Sequence, residues 1–430
     1  MTNSRTFLFM PESAYGPTNN CIGIGNELLK RGHRVVFAAE SSWQGKLAPL
    51  GFEEALVDFA PPAEDNGEAQ AGDFWKEYIK AISPEFRKST LEQAETVIRP
   101  IWEGAIEGAK YCEPELRRII AKVNPDVIIE DNVVAFPALV TAGKPFVRIV
   151  SCNPLEVPGP GIAPAYSGLG QDDETGWQEY RAEYERTHKD LWEDFNAWVQ
   201  EQGAPELPRM EFIHSGVHNI YVYPEELDYT ARRPLDSSWT RVDSAVRETE
   251  SAVELPGHFT DGTKPLIYFS LGSLGGADVE LMQRTVDILG TAREYNFIVS
   301  KGPRAEEITL AENMWGCEFL PQTRIIPEVD LVITHGGNNT TTEALHFGKP
   351  MILLPLFWDQ YDNAQRVHES GYGRRLDTYT CSPEELLGSI AELLNDADLQ
   401  ARCQAAGERI RAVDGLSAAA TALEQVAAAH

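Results

Sequence analysis

Short apolar runs alternate with stretches of helical periodicity along this chain. Strand-like runs lie at residues 6–10, 34–39, 126–130 and 145–150 in the first half, and at 265–270, 331–333 and 351–354 in the second. Helical patterns lie at residues 22–31, at 73–121, from Trp177 onward, and over 383–429. Strands that alternate with helices predict βαβ units and parallel sheets, so the predicted fold class is α/β.

A polar stretch without a clear period separates the two halves. It covers residues 236–264 and is the best candidate for a linker. With 430 residues and 43% hydrophobic content, the chain is long enough for two domains of roughly 200 residues each. We therefore predict a first domain over 1–235, a second over 265–410, and a final helix over 411–430.

A glycine-rich turn joins the strands at 331–333 and 351–354. It reads His335-Gly336-Gly337-Asn338-Asn339-Thr340 and leads into a helical run. Its glycines let backbone approach a ligand, and its Asn and Thr side chains can cap the helix. The free amides and the dipole of a helix start favour phosphate, and the imidazole of His335 adds a donor. The alternative is an ordinary connection in which glycine and asparagine only make the turn.

The charge balance narrows the range of partners. The formal net charge is -29 and the pI is near 4.7, so nucleic acid and anionic membrane would be repelled over most of the surface. An acidic protein that binds a diphosphate must hold it in a local site, which favours backbone amides over a broad basic patch.

The cysteines and the start of the chain point to the cytoplasm. Six cysteines are scattered without close pairs, which is typical of reduced, buried thiols. The chain enters a strand-like run within its first ten residues, and no apolar segment reaches about 18 residues. We expect neither a signal peptide nor a membrane anchor.

The second half carries a motif with several fixed spacings. The motif consists of Pro321-Gln322, His335, Gly337, Asn339, Thr340, Glu343, Pro355 and Asp359-Gln360. In order and spacing it resembles the donor-binding signature of the family one nucleotide-sugar glycosyltransferases, the UDP-glycosyltransferase superfamily. That family includes bacterial natural-product glycosyltransferases. The resemblance implies the GT-B fold, in which two Rossmann-like domains face each other across a cleft and the last helix crosses back to the first domain.

The resemblance also implies a role for each position of the motif. Uracil would stack on Phe319, where Trp is usual, and its edge would be read near Gln322. Glu343 would bind the ribose hydroxyls. His335, Asn339 and Thr340 would hold the diphosphate, with Gly272 and Ser273 near it, and Asp359 and Gln360 would bond the sugar hydroxyls. Gly337 and Asn338 would also belong to the donor site.

The implied activity is inverting transfer of a hexose-type sugar from a UDP-sugar to a small-molecule acceptor, without metal or other cofactor. Asp396-Ala397-Asp398 matches a metal-binding DxD only superficially, because no strand precedes it. In the family resembled, the helix start neutralises the leaving diphosphate.

One departure from the family pattern concerns the catalytic base. The family places a His after the first strand, held by an Asp at the end of a later strand. Here the stretch reads Gly16-Pro17-Thr18-Asn19-Asn20, so Pro17 takes the place of the base, while the partner Asp131 is retained. A general base contributes roughly 10²–10⁴-fold, and proline accepts no proton.

Four explanations of the missing base stay open. The acceptor is an amine or another nucleophile that needs little deprotonation; Asp131, Glu12 or Ser13 acts instead; His214 or His218 reaches in; or catalysis is lost. The last would leave a nucleotide-sugar-binding partner or activator protein. Among these side chains, Asp131 is the best single candidate for a catalytic residue.

The acceptor pocket is expected in the first domain. Its candidate residues are Glu12, Ser13, Pro17 and Trp75. An aromatic stripe from Trp177 to Trp198 recurs at helical spacing, and it is either core packing or a wall over the acceptor.

Overall fold

The structure is a computed structural model that describes residues 4–61, 82–247, 249–250 and 252–430. Trp75 and the first part of the helical pattern predicted over 73–121 lie outside these residues. No helix among the described residues combines the length and the apolar character needed to cross a membrane.

The first domain is built on a sheet of parallel strands. Its described strands are β1 (Thr6–Pro11), β2 (Arg34–Phe37), β3 (Glu53–Glu54), β4 (Val127–Asp131), β5 (Phe146–Val150), β6 (His218–Val222) and β7 (Trp239–Val242). They are ordered β3-β2-β1-β4-β5-β6-β7. Strands β4 and β5 are buried along their whole length, as is β1 after its first residue, because helices cover both faces of the sheet.

The strand register places two carboxyl groups beside each other at the edge of this sheet. In the parallel pair β1 and β4, Pro11 lies opposite Asp131. The next residue, Glu12, donates its backbone N–H to the Asp131 carbonyl at 2.7 Å. Ligands of open parallel sheets bind at this carboxyl edge.

Residues 236–264 are not wholly a linker. Strand β7 lies within them and pairs with β6, so the first sheet extends to Val242. The strand is short and only its last residue is buried, which is why its sequence reads as polar.

Described helices of the first domain are α1 (Tyr15–Lys30), α2 (Thr90–Gln93), α3 (Arg99–Val123), α4 (Pro137–Val140) and α5 (Trp177–Glu201). Helix α1 begins seven residues before the predicted start at Ile22. Pro17 sits in its first turn, where a backbone N–H is not needed for helical hydrogen bonds, so proline is compatible with the helix there.

The second domain has a smaller parallel sheet. Its described strands are β8 (Leu266–Ser270), β9 (Asn296–Ser300), β10 (Met314–Cys317), β11 (Leu331–Thr334), β12 (Met351–Leu353) and β13 (Gly373–Arg375). The order is β10-β9-β8-β11-β12-β13. Strands β8, β11 and β12 are fully buried at its centre.

Helices after β8 flank this sheet, apart from the last one, which packs on the first domain. Those described are α6 (Gly272–Gly275), α7 (Val279–Gly290), α8 (Gln322–Ile325), α9 (Asn338–His346), α10 (Gln360–Glu369), α11 (Pro383–Asn395), α12 (Ala397–Ala412) and α13 (Gly415–Ala429).

Helix α13 packs against α1 of the first domain. Glu424 accepts hydrogen bonds from Arg31 at 2.7 Å and bonds the ring of His33 at 2.8 Å. Ala419 and Leu423 are fully buried in the core that contains the β1 side chains. Small alanine side chains let the two helices approach closely, so the chain ends on the domain in which it began.

Candidate active site

Two glycines lie close to the imidazole of His335, Gly337 of the same glycine-rich turn and Gly272 at the start of α6. A Cβ on Gly272 would lie 2.7 Å from His335 Cε1, and one on Gly337 would lie 2.6 Å from Nε2. Gly272 also has a φ of 72°, a conformation that suits glycine. Burial lowers the pKa of His335 to about 4, although a backbone hydrogen bond at Ser270 opposes this. The ring is therefore neutral at pH 7 and acts as a single N–H donor.

Helix α9 begins with free backbone amides. Its cap position is Gly337, and among the described residues no side chain accepts a hydrogen bond from the first turn. The expectation that Asn and Thr side chains cap this helix is therefore wrong. Uncapped N–H groups and the helix dipole make this end suited to an anion. Gly272 and Ser273 open α6 directly after β8.

The two asparagines of the turn contact the first domain. Asn339 donates its NH₂ to the Gly16 carbonyl at 3.0 Å and accepts from Asn20 at 2.9 Å. Asn338 donates to the Val222 carbonyl at 3.0 Å. The contact with Gly16 uses one of the two N–H groups of the Asn339 side-chain amide, and the contact with Asn20 uses its oxygen. The second N–H of Asn339 is therefore left for a ligand.

A hydrogen-bonded cluster holds the residues implied for the nucleoside. Gln322 donates to Glu343 at 2.5 Å and to Thr340 at 3.1 Å. Glu343 also pairs with Arg247 at 2.9 Å. Burial raises the pKa of Glu343, and Arg247 opposes the shift. Sequence reasoning missed Arg247, because it lies in the stretch assigned to the linker.

Phe319 presents an open ring at the edge of the second domain. It is 46% exposed, and its centroid lies 6.3 Å from the ring of Tyr15, which is 50% exposed. Tyr15 belongs to α1, so the two exposed rings come from different domains. An exposed aromatic face can stack on a base.

The side-chain oxygens of Asp359 and Gln360 accept hydrogen bonds from backbone N–H groups. Asp359 accepts from the Asn153 N–H at 2.9 Å, and Gln360 accepts from the N–H groups of Leu356 and Phe357 at 3.0 and 3.4 Å. Burial raises the pKa of Asp359 to about 7. The amide NH₂ of Gln360 has no partner among the described residues, so it is the group available to a sugar hydroxyl.

Two carboxyl groups lie at the carboxyl edge of the first sheet. Asp131, 2% exposed, accepts from Ser151 Oγ at 2.7 Å, and Cys21 Sγ lies 3.8 Å from its other oxygen. Glu12 accepts from the Ala14 N–H at 2.9 Å and from the Ser13 hydroxyl at 3.0 Å. Burial is the largest cause that raises the pKa of both groups.

The histidines considered as substitute bases lie elsewhere. His218 opens β6 at the amino end of the sheet and bonds Thr240 Oγ1 at 2.8 Å. His214 bonds the Pro205 carbonyl at 2.9 Å. Neither ring is positioned at the carboxyl edge beside Pro17, so this explanation of the missing base is not supported by the fold.

A cavity of about 290 Å³ lies within the first domain. Its walls include the rings of Trp102, Tyr166, Tyr180, Tyr184 and Phe212, together with the charged residues Arg148, Glu156 and Glu211. The aromatic stripe of α5 divides between two environments: Tyr180 and Tyr184 line the cavity, whereas Phe195 packs in the core.

Trp358 of the second domain, which precedes Asp359, packs against two rings that line the cavity. The Trp358 ring lies 4.4 Å from that of Tyr166 and 5.1 Å from that of Trp102. Its φ of 58° is unusual for a residue with a side chain. This backbone conformation seats a ring of the second domain against the aromatic wall of the first.

Comparison with known proteins agrees with this architecture. Residues 251–402 match the family model described as UDP-glucoronosyl and UDP-glucosyl transferase. The chain is 26% identical to the oleandomycin glycosyltransferase of Streptomyces antibioticus over 396 residues, which cover 91% of this chain and 83% of that protein. It is 25% identical to the zeaxanthin glucosyltransferase of Pantoea ananas over 417 residues, which cover 94% and 91%.

Solved structures share the whole fold. The glycotransferase of kitacinnamycin matches with a TM-score of 0.70 and 21% identity, over 99% of this chain and 100% of that one. A spinosyn rhamnosyltransferase in complex with thymidine diphosphate matches with a TM-score of 0.65 and 17% identity, over 98% and 100%.

Two parallel sheets and these likenesses define a glycosyltransferase of the GT-B fold. The α/β fold class and the enzyme class predicted from the sequence are confirmed. The predicted resemblance to the UDP-glycosyltransferase superfamily is confirmed, since residues 251–402 match its family model and the relatives of the chain are named glycosyltransferases.

Proposed function

We propose that the chain transfers a hexose-type sugar, with inversion, from a UDP-sugar to a small-molecule acceptor held in the cavity of the first domain. The observation that carries this proposal is the uncapped start of α9 beside the neutral His335. This arrangement supplies several N–H donors to a diphosphate, and it needs no metal ion.

The reaction requires one bond to form and one to break at the anomeric carbon. The acceptor atom attacks from the face opposite the diphosphate, the carbon–oxygen bond to the diphosphate breaks, and UDP leaves with that electron pair. Its charge is stabilised by the α9 amides and the His335 N–H. The acceptor's proton goes to a nearby carboxylate or, from an ammonium product, to solvent.

Asp131 is the proposed proton acceptor and Glu12 the second candidate. Both lie at the carboxyl edge of the first sheet, and the raised pKa of each makes the ionised form a stronger base. The hydroxyl of Ser151 orients the Asp131 carboxyl group at 2.7 Å. An amine acceptor, which needs little deprotonation, would depend least on such a carboxylate base.

The donor nucleotide has a second candidate. The matching family model is described by UDP-sugars, whereas the spinosyn rhamnosyltransferase structure contains thymidine diphosphate. Thymine differs from uracil by one methyl group, and the exposed Phe319 ring can stack on either base.

Calorimetric titration with UDP and with thymidine diphosphate, followed by nucleotide-release assays with amine, phenol and alcohol acceptors, tests the proposal. We expect UDP to bind and to be released from UDP-glucose only when an acceptor is present. Binding without any turnover would favour a nucleotide-sugar-binding partner protein. Absence of binding by both nucleotides would refute the donor site.

A further inference from the structure

Two exposed aromatic rings face each other across the boundary between the domains. Among the described residues, three aromatic side chains are largely exposed: Tyr15, Tyr111 and Phe319. Tyr15 opens α1 of the first domain, and Phe319 lies in the loop after β10 of the second, with ring centroids 6.3 Å apart. The planes are tilted by 37°, so the two rings do not stack on each other. Exposed apolar surface that two domains bring together is typical of a ligand site.

The Tyr15 ring is held in place by its own domain. It lies 5.4 Å from the ring of Trp43, which is buried and donates its Nε1–H to the Ser13 carbonyl at 3.1 Å. The Lys46 ammonium lies 5.9 Å from the Tyr15 centroid. These contacts fix the ring, yet half of it stays exposed. A ring that is already ordered receives a flat ligand at a small cost in entropy.

The residues that follow Tyr15 contact the start of α9. The Gly16 carbonyl accepts from the Asn339 side chain at 3.0 Å, and Asn20, one turn further along α1, donates to the same side chain at 2.9 Å. Asn339 lies in the first turn of α9, whose free amides suit a diphosphate. The start of α1 therefore lies directly beside the proposed diphosphate site.

Phe319 reaches the same turn of α9 from the second domain. Three residues after it, Gln322 donates to Thr340 at 3.1 Å, and Thr340 belongs to the first turn of α9. Both exposed rings are thus close in sequence to groups that bond this turn. In a nucleoside diphosphate a single ribose joins the base to the phosphates, so the base must lie near the diphosphate site.

The separation of the two rings is close to what a flat base requires. Carbon atoms in contact lie about 3.5 Å apart, so a base between two rings needs about 7 Å. The centroids of Tyr15 and Phe319 are 6.3 Å apart, and a shift of about 1 Å would admit a base. Stacking on both of its faces would remove the exposed surface of both rings from water.

We propose that Tyr15 is a second stacking residue for the donor nucleotide, whose base is held between Phe319 of the second domain and Tyr15 of the first. The inference rests on the proposed function, because it concerns the nucleotide of that donor site. It gives the start of α1 a role in donor binding, and it makes nucleotide affinity depend on both domains.

Substitutions at position 15 separate stacking from simple packing between the domains. Tyr15→Phe and Tyr15→Trp keep a ring, Tyr15→Leu keeps apolar volume without a ring, and Tyr15→Ala removes both. Tyr111→Ala is the control, because Tyr111 is a similarly exposed tyrosine on α3. Calorimetry with the whole chain would titrate each protein with UDP and with thymidine diphosphate, and thermal unfolding would verify that each variant folds.

We expect Tyr15→Ala and Tyr15→Leu to weaken nucleotide binding by about ten-fold, because the base loses one of its two stacking partners. Tyr15→Phe should bind like the wild type, and Tyr15→Trp at least as tightly, because indole offers a larger face. Tyr111→Ala should leave the affinity unchanged. If Tyr15 only packed the domains together, Tyr15→Leu would bind like the wild type.

Unchanged affinity in Tyr15→Ala, wild-type affinity in Tyr15→Leu, or an equal loss in Tyr111→Ala would overturn the inference. Phe319→Ala in the same assay keeps the two proposals apart. A loss of affinity in Phe319→Ala but not in Tyr15→Ala would refute only the role of Tyr15 and leave the donor site in place. Absence of binding by both nucleotides in the wild type would refute the donor site and this inference together.

Discussion

The backbone N–H of Asn153 donates to the carboxyl group of Asp359 at 2.9 Å, although these residues lie in different domains. A residue implied to bind the donor sugar thus also joins the two domains. Asp362 repeats the arrangement one turn later, since its oxygens accept from the N–H groups of Tyr166 and Gly168 at 2.6 and 2.8 Å.

This relationship predicts a pH dependence of stability. Burial raises the pKa of Asp359 to about 7, above the ordinary value of about 3.9. Between these values the folded protein holds a proton that the unfolded chain has lost, so the free energy of unfolding falls as pH rises from 5 to 8.

The free energy of unfolding of Asp359→Asn should therefore fall less between pH 5 and pH 8 than that of the wild type. Thermal unfolding at pH 5 and pH 8 measures the difference. The exposed Asp194→Asn on α5 is the control and should follow the wild type. An Asp359→Asn variant with the full wild-type pH dependence would contradict the assignment.

The second prediction concerns His335. Since its ring faces the start of α9, His335→Ala should weaken UDP binding by about 1.5–3 kcal/mol, the range for a hydrogen bond to a charged group. His346→Ala is a matched control at the far end of the same helix, where the ring bonds Ser244 at 2.8 Å. Calorimetry with UDP should separate the two variants, and equal affinities would mean that the diphosphate lies elsewhere.

The third prediction concerns Arg247. Arg247→Met leaves the buried Glu343 carboxylate without its cation, which should destabilise the fold by about 3–5 kcal/mol in urea unfolding. Arg186→Met removes an exposed pair with Glu183 and Glu95 and should change little. A comparable, small effect of both variants would show that Arg247 does not hold Glu343.

The donor turn could be predicted from the sequence because the residues that indicate it are neighbours in the chain. Strand, glycines and helix start lie within residues 331–346, and their order alone indicates a phosphate site. Partners that depend on the tertiary fold were not predicted. Asn153 lies 206 positions from Asp359, and Asn20 lies 319 from Asn339. Nothing in their own neighbourhoods marks these asparagines.

The limits of the linker and of α1 were predicted wrongly for a related reason. Strand β7 has four residues with a polar, half-exposed middle, so its pairing with β6 decides its structure more than its own pattern does. The helical pattern predicted over 22–31 omits the first seven residues of α1, which include Gly16 and Pro17. Both residues fit the first turn of a helix, where no preceding turn clashes with proline.

The fourth prediction is that turnover does not require a metal ion. Donors at the start of α9 can neutralise the diphosphate. Asp396, the first residue of the DxD-like sequence, instead accepts from the Leu399 N–H at 2.9 Å and caps α12. Turnover should therefore persist in EDTA, and a complete loss that magnesium or manganese restores would contradict this.

The last prediction concerns what replaces the missing base. If Asp131 takes the proton, Asp131→Asn should lower turnover by roughly 10²–10⁴-fold and leave UDP affinity unchanged. Glu12→Gln is the comparison, because Glu12 lies beside Asp131 at the same sheet edge. Turnover lost in Glu12→Gln and retained in Asp131→Asn would assign the proton to Glu12.

An acceptor that is already nucleophilic at neutral pH would give a third pattern, in which both variants retain turnover. The variant Pro17→His then distinguishes a reaction that does not need a base from one whose base is missing. Position 17 lies in the same helix as Cys21, which contacts Asp131, so an imidazole introduced there has this carboxyl group as its expected partner. With an amine acceptor, the substitution should leave the native rate nearly unchanged and add weak transfer to phenols or alcohols. A large acceleration of the native reaction would instead show that the wild type lacks a base that its acceptor needs.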